Sequence, residues 1–279
     1  MTVRPLVVKF GGELLEDPVH LANVVSAIAT IACDGKSLVI VHGGGKEIDA
    51  ALKVAGIEKK QVDGLRVTDD ATLEVAVAVL AGAINTRFVA ALGAASVAAV
   101  GLTGADAKTG LADPAPPHRA ENGSNAGRTI DLGRVGSPAA DADMRLLETL
   151  VAHAFVPVIA CIAVGRDGRL LNVNADTLAG HLAARLRARR LVVAGATPGV
   201  LDRNGATLTT LDAGAIADLV NDGTASAGMI AKLRACEHAL NNGVDDVIIV
   251  DGRKADALTA AAIDGSSSVA TRIRSTAKV

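Results

Sequence analysis

The sequence predicts an α/β protein built on a mainly parallel, open β-sheet. Two short apolar strands, Leu6–Phe10 and Ser37–Val41, are each followed by a glycine turn and a helix. This βαβα order indicates neighbouring parallel strands joined by right-handed crossovers. The 279 residues are 50% hydrophobic, so the chain can bury a large core, either in one domain or in two lobes that share a sheet.

Composition excludes several classes of function. The net charge of -2 gives no electrostatic reason to expect nucleic acid or an anionic membrane as partner. Aromatic residues make up 1% of the chain, without Trp or Tyr, so base-stacking platforms are absent. Cys33, Cys161 and Cys236 lie far apart and form no CxxC pair, which is typical of buried, reduced thiols. The first residues lead directly into a strand without the pattern of a signal peptide, which predicts a cytoplasmic protein.

Hydrophobic periodicity defines the elements of the first half. Helix Pro18–Ala32 has apolar residues at helical spacing, and Asp34-Gly35 ends it. The second glycine turn leads into helix Glu47–Val54. Thr68 is a candidate N-cap for the helix that follows it.

The region 75–102 is the most apolar part of the chain. A polar tripeptide at 85–87 interrupts it, and neither half reaches the ~18–20 apolar residues of a membrane span. We interpret it as part of a long helix, Ala71–Leu92, bent near Gly82, followed by strand Ala95–Leu102. So little polarity around one helix predicts a subunit interface or a central core helix.

The second half continues the α/β pattern. Residues 103–137 are rich in loops, with a polar run at Glu121–Asn125, and we expect them to cover a site or to be mobile. A shift in composition near Leu191 predicts two lobes, 1–190 and 191–279, on one continuous sheet. The elements predicted are short hairpin strands within Thr129–Val135, helix Asp141–Ala154, strand Val156–Ile162, helix Asp176–Ala188, strand Leu191–Ala194, helices Ala213–Asn221 and Met229–Asn241, strand Asp246–Val250, helix Ala255–Ala262 and strand Val269–Ile273.

The two glycine turns are the strongest functional signal. Each places glycines between a strand and a helix, where backbone amides can approach an anion closely. Lys9 lies at the end of the first strand, inside a run of buried apolar residues. The sequence therefore predicts a phosphoryl-transfer site between the turns. It has no Walker motif, no protein-kinase catalytic loop and no zinc-type His/Cys spacing, and His42 is better explained by packing than as a catalytic base.

Five motifs in order resemble the amino acid kinase family, and within it the kinases that phosphorylate N-acetyl-L-glutamate. The resemblance spans essentially the whole chain and implies a three-layer αβα sandwich and ATP-dependent phosphorylation of the γ-carboxylate in arginine biosynthesis. The motifs are Val8-Lys9-Phe10-Gly11-Gly12, Val41-His42-Gly43-Gly44-Gly45, Asp63-Gly64-Leu65-Arg66-Val67-Thr68, Asn172-Val173-Asn174-Ala175-Asp176 and Gly228-Met229-Ile230-x-Lys232.

The resemblance implies a role for each candidate residue. Lys9 and Lys232 would contact the transferring phosphate, and Asp176 would orient both lysines. Arg66 would hold the α-carboxylate of the substrate, which a guanidinium binds bidentately. The other substrate contacts would come from Gly44, Gly45, Asn172 and Asn174, and the phosphate and nucleotide contacts from Gly11, Gly12, Gly43, Gly44, Gly199 and Met229.

The implied cofactor is ATP with Mg²⁺ held mainly by its phosphates, and no metal ligand set is expected from the protein. The N-terminal lobe would bind the amino-acid substrate and form a homodimer through Ala71–Leu92, while the C-terminal lobe would bind nucleotide. Ala196 stands where the family usually has an aspartate, which leaves the nucleotide affinity open. The chain lacks the terminal segments of arginine-inhibited members, so we expect an arginine-insensitive homodimer. Alternatives are a kinase for an aminoadipate derivative and a catalytically idle ligand-binding homologue.

Overall fold

The computed structural model describes residues 4–120, 126–221, 223–225, 227–265 and 270–274, and the polar run Glu121–Asn125 therefore lies outside the described residues. In chain order the strands are β1 Leu6–Phe10, β2 Leu38–His42, β3 Gln61–Val62, β4 Leu65–Arg66, β5 Ala99–Thr103, β6 Ala112–Pro114, β7 His118–Arg119, β8 Thr129–Ile130, β9 Gly136–Pro138, β10 Val156–Ala160, β11 Ile162–Val164, β12 Leu170–Asn172, β13 Arg190–Gly195, β14 Val200–Leu201, β15 Thr207–Leu208, β16 Thr210–Leu211, β17 Val247–Asp251 and β18 Ala270–Ile273. The helices are α1 Glu13–Glu16, α2 Pro18–Cys33, α3 Gly45–Val54, α4 Asp70–Val77, α5 Asn85–Ala94, α6 Arg145–Ala152, α7 Ala175–Arg185, α8 Ala213–Asn221, α9 Ala227–Asn241 and α10 Ala255–Ile263.

A mainly parallel sheet forms the centre of the molecule. Its strand order is β16-β18-β17-β13-β1-β2-β10-β5, and β17 and β18 are its antiparallel pair. Helices α2, α5 and α10 pack together on one face, and α6, α7 and α9 pack on the other. The predicted αβα sandwich with a mainly parallel sheet is confirmed. Strands from both predicted lobes share this sheet, while the position of the boundary near residue 190 stays a prediction.

The central strands are buried along their whole length, as expected for parallel strands covered by helices on both faces. Each residue of β1, β2, β10 and β17 is buried. Strand β5, at the edge of the sheet, is only partly covered. The core therefore lies around β1 and β2, which are the strands that carry the two glycine turns.

The long apolar helix is bent where the sequence predicts a bend. Helices α4 and α5 are joined by a π-helical segment, Ala78–Ile84, that contains Gly82. The helical run Asp70–Ala94 is long and apolar enough to cross a membrane by length and composition, and a third of its most apolar window is buried. In this structure its buried side packs on β5, β10 and α2.

Several local predictions are wrong. The N-cap of α4 is Asp69, whose carboxylate accepts the Thr72 amide, and Thr68 is buried instead. Strand β5 begins at Ala99, four residues later than predicted, because the preceding helix continues to Ala94. By contrast, a short hairpin strand is present within Thr129–Val135 as predicted, since β8 pairs antiparallel with β7.

Three parallel strands end beside one another at the glycine turns. Strand β1 pairs with β2 on one side and with β13 on the other, and Phe10 is level with both His42 and Ala194. The chain enters β1 first, then β2 on one side and later β13 on the other, so β1 lies at a topological switch point. Ligands of open α/β sheets bind at the carboxyl ends of the strands at such a point.

Candidate active site

Two lysines and one aspartate form the centre of the site. Lys9 lies in β1 between Val41 and Val193 of the neighbouring strands and is 6% exposed. Its Nζ is 2.9 Å from Oδ1 of Asp176, and Nζ of Lys232 is 3.7 Å from the same oxygen. Asp176 therefore bridges a lysine of the first glycine turn and a lysine of α9.

The charges of this cluster shift one another's pKa values. Burial alone would lower the pKa of Lys9, but the neighbouring Asp176 carboxylate outweighs it and raises the pKa. Burial opposes ionisation of Asp176 too, yet both lysines hold the pKa of its carboxyl below the ordinary value. Burial and the Lys9 charge lower the pKa of Lys232, which Asp176 offsets only in part. Asp176 thus contacts both ammonium groups, and Glu13 adds a weaker negative charge to the cluster.

The two glycine turns touch each other. A Cβ on Gly12 would lie 2.6 Å from the Cα of Gly44, and a Cβ on Gly44 would collide with the Cδ1 atom of Ile84. Any side chain at these positions would push the turns apart. The glycines therefore allow the ends of β1 and β2 to form one narrow concave surface.

The amides of the turns divide into two groups. The Gly11 amide donates to the Ala194 carbonyl, and the Gly43 amide donates to the Phe10 carbonyl, so both extend the hydrogen bonding of the sheet. Gly12 and Gly44 precede α1 and α3, and their amides have no acceptor in the described part of the chain. The amides available to an anion are thus those of Gly12, Gly44 and the first turn of α3.

Arg66 lies at the end of β4, and its Nη1 has no hydrogen-bond partner among the described residues. Its Nη2 contacts Oδ1 of Asp49 at 2.5 Å and donates to the Gly45 carbonyl at 3.3 Å. The Nη1 atom is buried. A buried donor without a hydrogen-bond partner lowers the stability of the fold. Asp49 orients the guanidinium of Arg66, which is therefore ready for an anionic ligand.

The two asparagines of the Asn-x-Asn motif differ in position. Asn172 ends β12, and its Nδ2 donates to Oγ1 of Thr68, which places its side chain beside the Arg66 loop. Asn174 is the N-cap of α7, and its Oδ1 accepts the amides of Asp176 and Thr177. Asn174 therefore fixes the start of the helix that presents Asp176.

One cavity of about 280 Å³ brings most of the predicted residues together. Lys232 reaches the cluster through Asp176 but does not line this cavity, and neither do Gly199 and Met229. Gly199 has a positive φ and packs closely on Thr271, which accounts for a glycine there. The predicted residues that line the cavity are Lys9, Gly11, Gly12, Gly43, Gly44, Gly45, Arg66, Asn172, Asn174 and Asp176.

Glu13 also lines the cavity, and the sequence analysis missed it. Its carboxylate lies against Gly11, where a Cβ would collide with both carboxylate oxygens. Oε1 accepts the Ala196 amide at 3.3 Å, and the Glu13 charge favours the protonated forms of Lys9 and Lys232. A carboxylate thus lies beside Ala196, although that loop lacks its own acid. The signal available in the sequence was an acidic residue directly after a glycine turn.

His42 and Cys161 are buried beside the site without a chemical role in it. The amide of Asn85 donates to Nε2 of His42 at 3.0 Å, and burial lowers the pKa of the ring to about 4. Burial raises the pKa of the Cys161 thiol to about 12. Both groups are neutral at pH 7, as predicted for packing residues, whereas Cys33, expected to be buried, is exposed.

The open parallel sheet with two glycine turns at its switch point is compatible with a kinase that phosphorylates a carboxyl group, and the chain matches the amino acid kinase family over residues 4–251. The chain belongs to the amino acid kinase family, as its five motifs indicated. Proteins named acetylglutamate kinase from Erythrobacter litoralis and Rhizorhabdus wittichii are 43% and 42% identical to it, over 90% and 88% of this chain and 83% and 82% of theirs.

The fold is also shared with an enzyme of a different name and activity. The N-acetylglutamate synthase of Neisseria gonorrhoeae, solved with coenzyme A and N-acetyl-glutamate, matches 99% of this chain and 61% of its own, with a TM-score of 0.82 and 24% sequence identity. At this identity the likeness shows the fold alone.

Proposed function

We propose that this protein transfers the γ-phosphoryl group of ATP to the γ-carboxylate of N-acetyl-L-glutamate, giving N-acetylglutamyl 5-phosphate and ADP in arginine biosynthesis. The observation that carries the proposal is that one cavity joins the Lys9–Asp176 pair to the unpartnered Nη1 of Arg66. A substrate with two carboxylates can place one at each end. The names of the relatives support the same reaction.

The reaction requires charge compensation more than proton transfer. A carboxylate is ionised near neutral pH and attacks phosphorus without a general base. Donor and acceptor are both anionic, so their repulsion is the main barrier, and positioned positive charge lowers it. Lys9 stabilises the transferring phosphoryl group from the substrate side and Lys232 from the nucleotide side, while Asp176 fixes the spacing of the two ammonium groups.

The turns hold the phosphate chain. The amides of Gly12, Gly44 and Gly45 donate to phosphate oxygens, and Gly11 and Gly43 shape the turns through their bonds to the sheet. Among the described residues no three His, Cys, Asp or Glu side chains cluster as a metal site. Mg²⁺ would enter with ATP, held by its phosphates, and neutralise charge on the transferring group. Glu13 contacts the Ala196 amide, which belongs to the lobe proposed to bind nucleotide together with Gly199 and Met229.

The two predicted lobes bind different substrates. Residues 1–190 bind the amino-acid substrate between Arg66, Asn172 and the second glycine turn, and residues 191–279 bind the nucleotide. The substrates are small molecules, with neither nucleic acid nor a membrane as partner. We place the enzyme in the cytoplasm, where ATP is available.

The function is tested by ADP release from ATP and Mg²⁺ with three acceptors: N-acetylglutamate, glutamate and N-acetyl-aminoadipate. Turnover is expected to be fastest with N-acetylglutamate, the acceptor that the names of the relatives indicate. Faster turnover with the aminoadipate derivative would change the substrate. Absence of turnover with all three, from folded protein, would favour a ligand-binding protein.

Arg66→Gln is expected to raise KM for N-acetylglutamate by about a hundredfold with a smaller change in kcat, because a desolvated charge pair contributes roughly 2–5 kcal/mol. KM for ATP should stay within about twofold, since Arg66 does not face the nucleotide. Initial rates against each substrate measure both values. Lys59→Gln, which removes the other cation on Asp49, is the matched control. Equal loss of affinity for both substrates would place Arg66 outside the acceptor site.

The lowered pKa of Lys232 predicts an alkaline limb in the pH profile. Its ammonium is disfavoured by burial and by Lys9, so the free enzyme loses this proton below the ordinary value of 10.5. kcat/KM should therefore fall as the pH rises through a midpoint below 10.5. In Lys232→Arg the guanidinium stays charged and the limb should move upward, whatever the residual rate. An unshifted limb in that variant would assign it to another group.

The exposed side of the helical run α4 to α5 is the proposed homodimer interface. It presents small residues, including Ala78, Gly82, Ala83 and Ala90, which allow a second copy of the same helix to approach closely. Ala83→Glu is expected to shift the protein from dimer to monomer in light scattering, because it would bury a charge against its own copy. Val54→Glu, at an exposed position on α3, should leave the mass unchanged. A dimer that persists in the Ala83 variant places the interface elsewhere.

A further inference from the structure

A second cavity, of about 780 Å³, lies on the face of the sheet covered by α7 and α9. Its walls are the segment 138–148, the carboxyl-terminal part of α7 with Arg187, and α9 with Asn242. It shares no lining residue with the cavity of the candidate active site. The proposed kinase reaction therefore leaves it unused.

One wall of this cavity carries two exposed arginines, Arg185 and Arg187, and the charge of Arg185 also acts on Asp141 across the cavity. Arg185 donates to the Ala142 carbonyl, and neither Arg185 nor Arg187 has a carboxylate partner among the residues described. The opposite wall has three acids. Asp141 is held by Arg166 at 2.8 Å and Asp143 by Arg145 at 2.6 Å, and of these three acids only the exposed Glu148 has no ion pair with a described residue. The cations without an ion pair, Arg185 and Arg187, thus lie on the α7 side of the cavity.

His181 supplies an independent observation in the same wall. The ring is 7% exposed, and its Nε2 is buried without a hydrogen-bond partner in the described part of the chain. Burial, with the charges of His238 and Arg185, lowers the pKa of His181 to about 4. The imidazole is therefore neutral at pH 7 in a positively charged setting, and a bound anion would remove the charge that opposes its protonation. A buried polar atom left unsatisfied beside free cations is the pattern of a ligand site.

The cavity is connected to the candidate active site by two helices. Helix α7 carries Asp176 in its first turn and His181 further along, while α9 carries both Lys232 and His238. The helices meet at Gly180, where a Cβ would lie 2.7 Å from the Ala235 carbonyl oxygen. A ligand between their far ends would change the spacing of α7 and α9, and hence of Asp176 and Lys232.

We propose that this cavity is a regulatory site for a small oxyanion, the phosphate or carboxylate group of a metabolite, bound by Arg185, Arg187 and the His181–His238 pair. Arg185 and Arg187 give charge-assisted hydrogen bonds to the oxyanion, and His181, which takes up a proton as the anion binds, donates to it from Nε2. Occupation of the site alters the kinase rate through α7 and α9.

Histidine NMR tests the site, because the histidines that do not line the cavity serve as internal controls. Inorganic phosphate and, separately, succinate are titrated into the protein, and the ring signals of the six histidines are followed. His181 and His238 should shift together along one binding curve. His42 reports anions at the glycine turn, and His20, His118 and His153 should stay unchanged. The two probes distinguish a phosphate source from a carboxylate source.

Substitutions in and near the cavity test which residues produce the NMR response of His181 and His238. The double variant Arg185→Gln and Arg187→Gln should weaken the His181 and His238 response by about tenfold or more and keep the His42 response. Arg189→Gln removes an exposed arginine that does not line the cavity and should change neither. Glu148→Gln should strengthen binding, because it removes the acid on the opposite wall.

Two results would overturn the proposal. The first is an NMR result: the His181 and His238 signals do not shift when the probes have saturated the His42 response, or they shift equally in the double variant. The second is a rate measurement. The probe should change the kinase rate of the native protein and not that of the double variant. An equal effect on both proteins would place the regulation at the active site. The NMR result stands whether or not the protein phosphorylates N-acetylglutamate.

Discussion

Lys9→Ala is expected to lower kcat by about a hundredfold or more while KM for either substrate changes much less. The ammonium of Lys9 lies in β1 at the meeting point of the two glycine turns, buried and 2.9 Å from Asp176. In a site with little water, its charge acts most strongly where negative charge is concentrated during transfer. Initial rates at saturating ATP and acceptor measure this loss.

The matched control is Lys46→Ala, which removes the exposed lysine after the second glycine turn. Its kcat should stay near that of the native protein, since Lys46 does not line the cavity. Thermal unfolding of both variants separates a catalytic effect from a folding defect. Unchanged kcat in folded Lys9→Ala protein would remove Lys9 from the chemistry.

Asp176→Asn is expected to reduce both activity and stability. The carboxylate bridges Lys9 and Lys232, so its loss leaves two buried ammonium groups without the carboxylate that contacts both. Breaking a buried ion pair by removing one partner costs roughly 3–5 kcal/mol. The lysines would also lose their fixed spacing, so kcat should fall by about a hundredfold or more. Urea unfolding and initial rates measure the two effects.

The stability difference should depend on pH with a definite sign. The folded-state pKa of Asp176 is held below 3.8 by the lysines, so its stabilising contribution is present above that pH and is lost as the pH falls through the folded-state pKa. The gap between native protein and Asp176→Asn should therefore be constant near neutral pH and close in acid. Asp34→Asn, which breaks an exposed pair with Lys36, should cost under about 1 kcal/mol. A gap that widens in acid would contradict the charge assignment.

The sequence predicts the parallel sheet and the position of the two turns because these depend on local signals. Strand Leu6–Phe10 and helix Ala213–Asn221 have the predicted bounds, since apolar runs ended by glycine or capped by polar residues leave little freedom. Helix α6 begins at Arg145 instead of Asp141, because Asp141 is drawn into the ion pair with Arg166. Such a long-range contact has no local signature.

The site shows the same division between local and tertiary information. Lys9, Asp176 and Lys232 were identified by motif, yet their grouping around one carboxylate oxygen required the packing of α7 against α9. The contact of Glu13 with Ala196 joins residues far apart in the chain and was not predicted. The second cavity has no local signature in the sequence, because the wall opposite Arg185 and Arg187 comes from the distant segment 138–148.

The central claim is that one clamp, formed by the two turns and the Lys9–Asp176–Lys232 cluster, phosphorylates the carboxylate opposite the one held by Arg66. The most direct measurement is to trap the acyl phosphate with hydroxylamine and locate the hydroxamate by mass spectrometry. The account predicts hydroxamate on the γ-carboxyl of N-acetylglutamate, formed only when ATP is present and strongly reduced in Lys9→Ala. Hydroxamate on the α-carboxyl, or ATP hydrolysis to free phosphate without any hydroxamate, would contradict it.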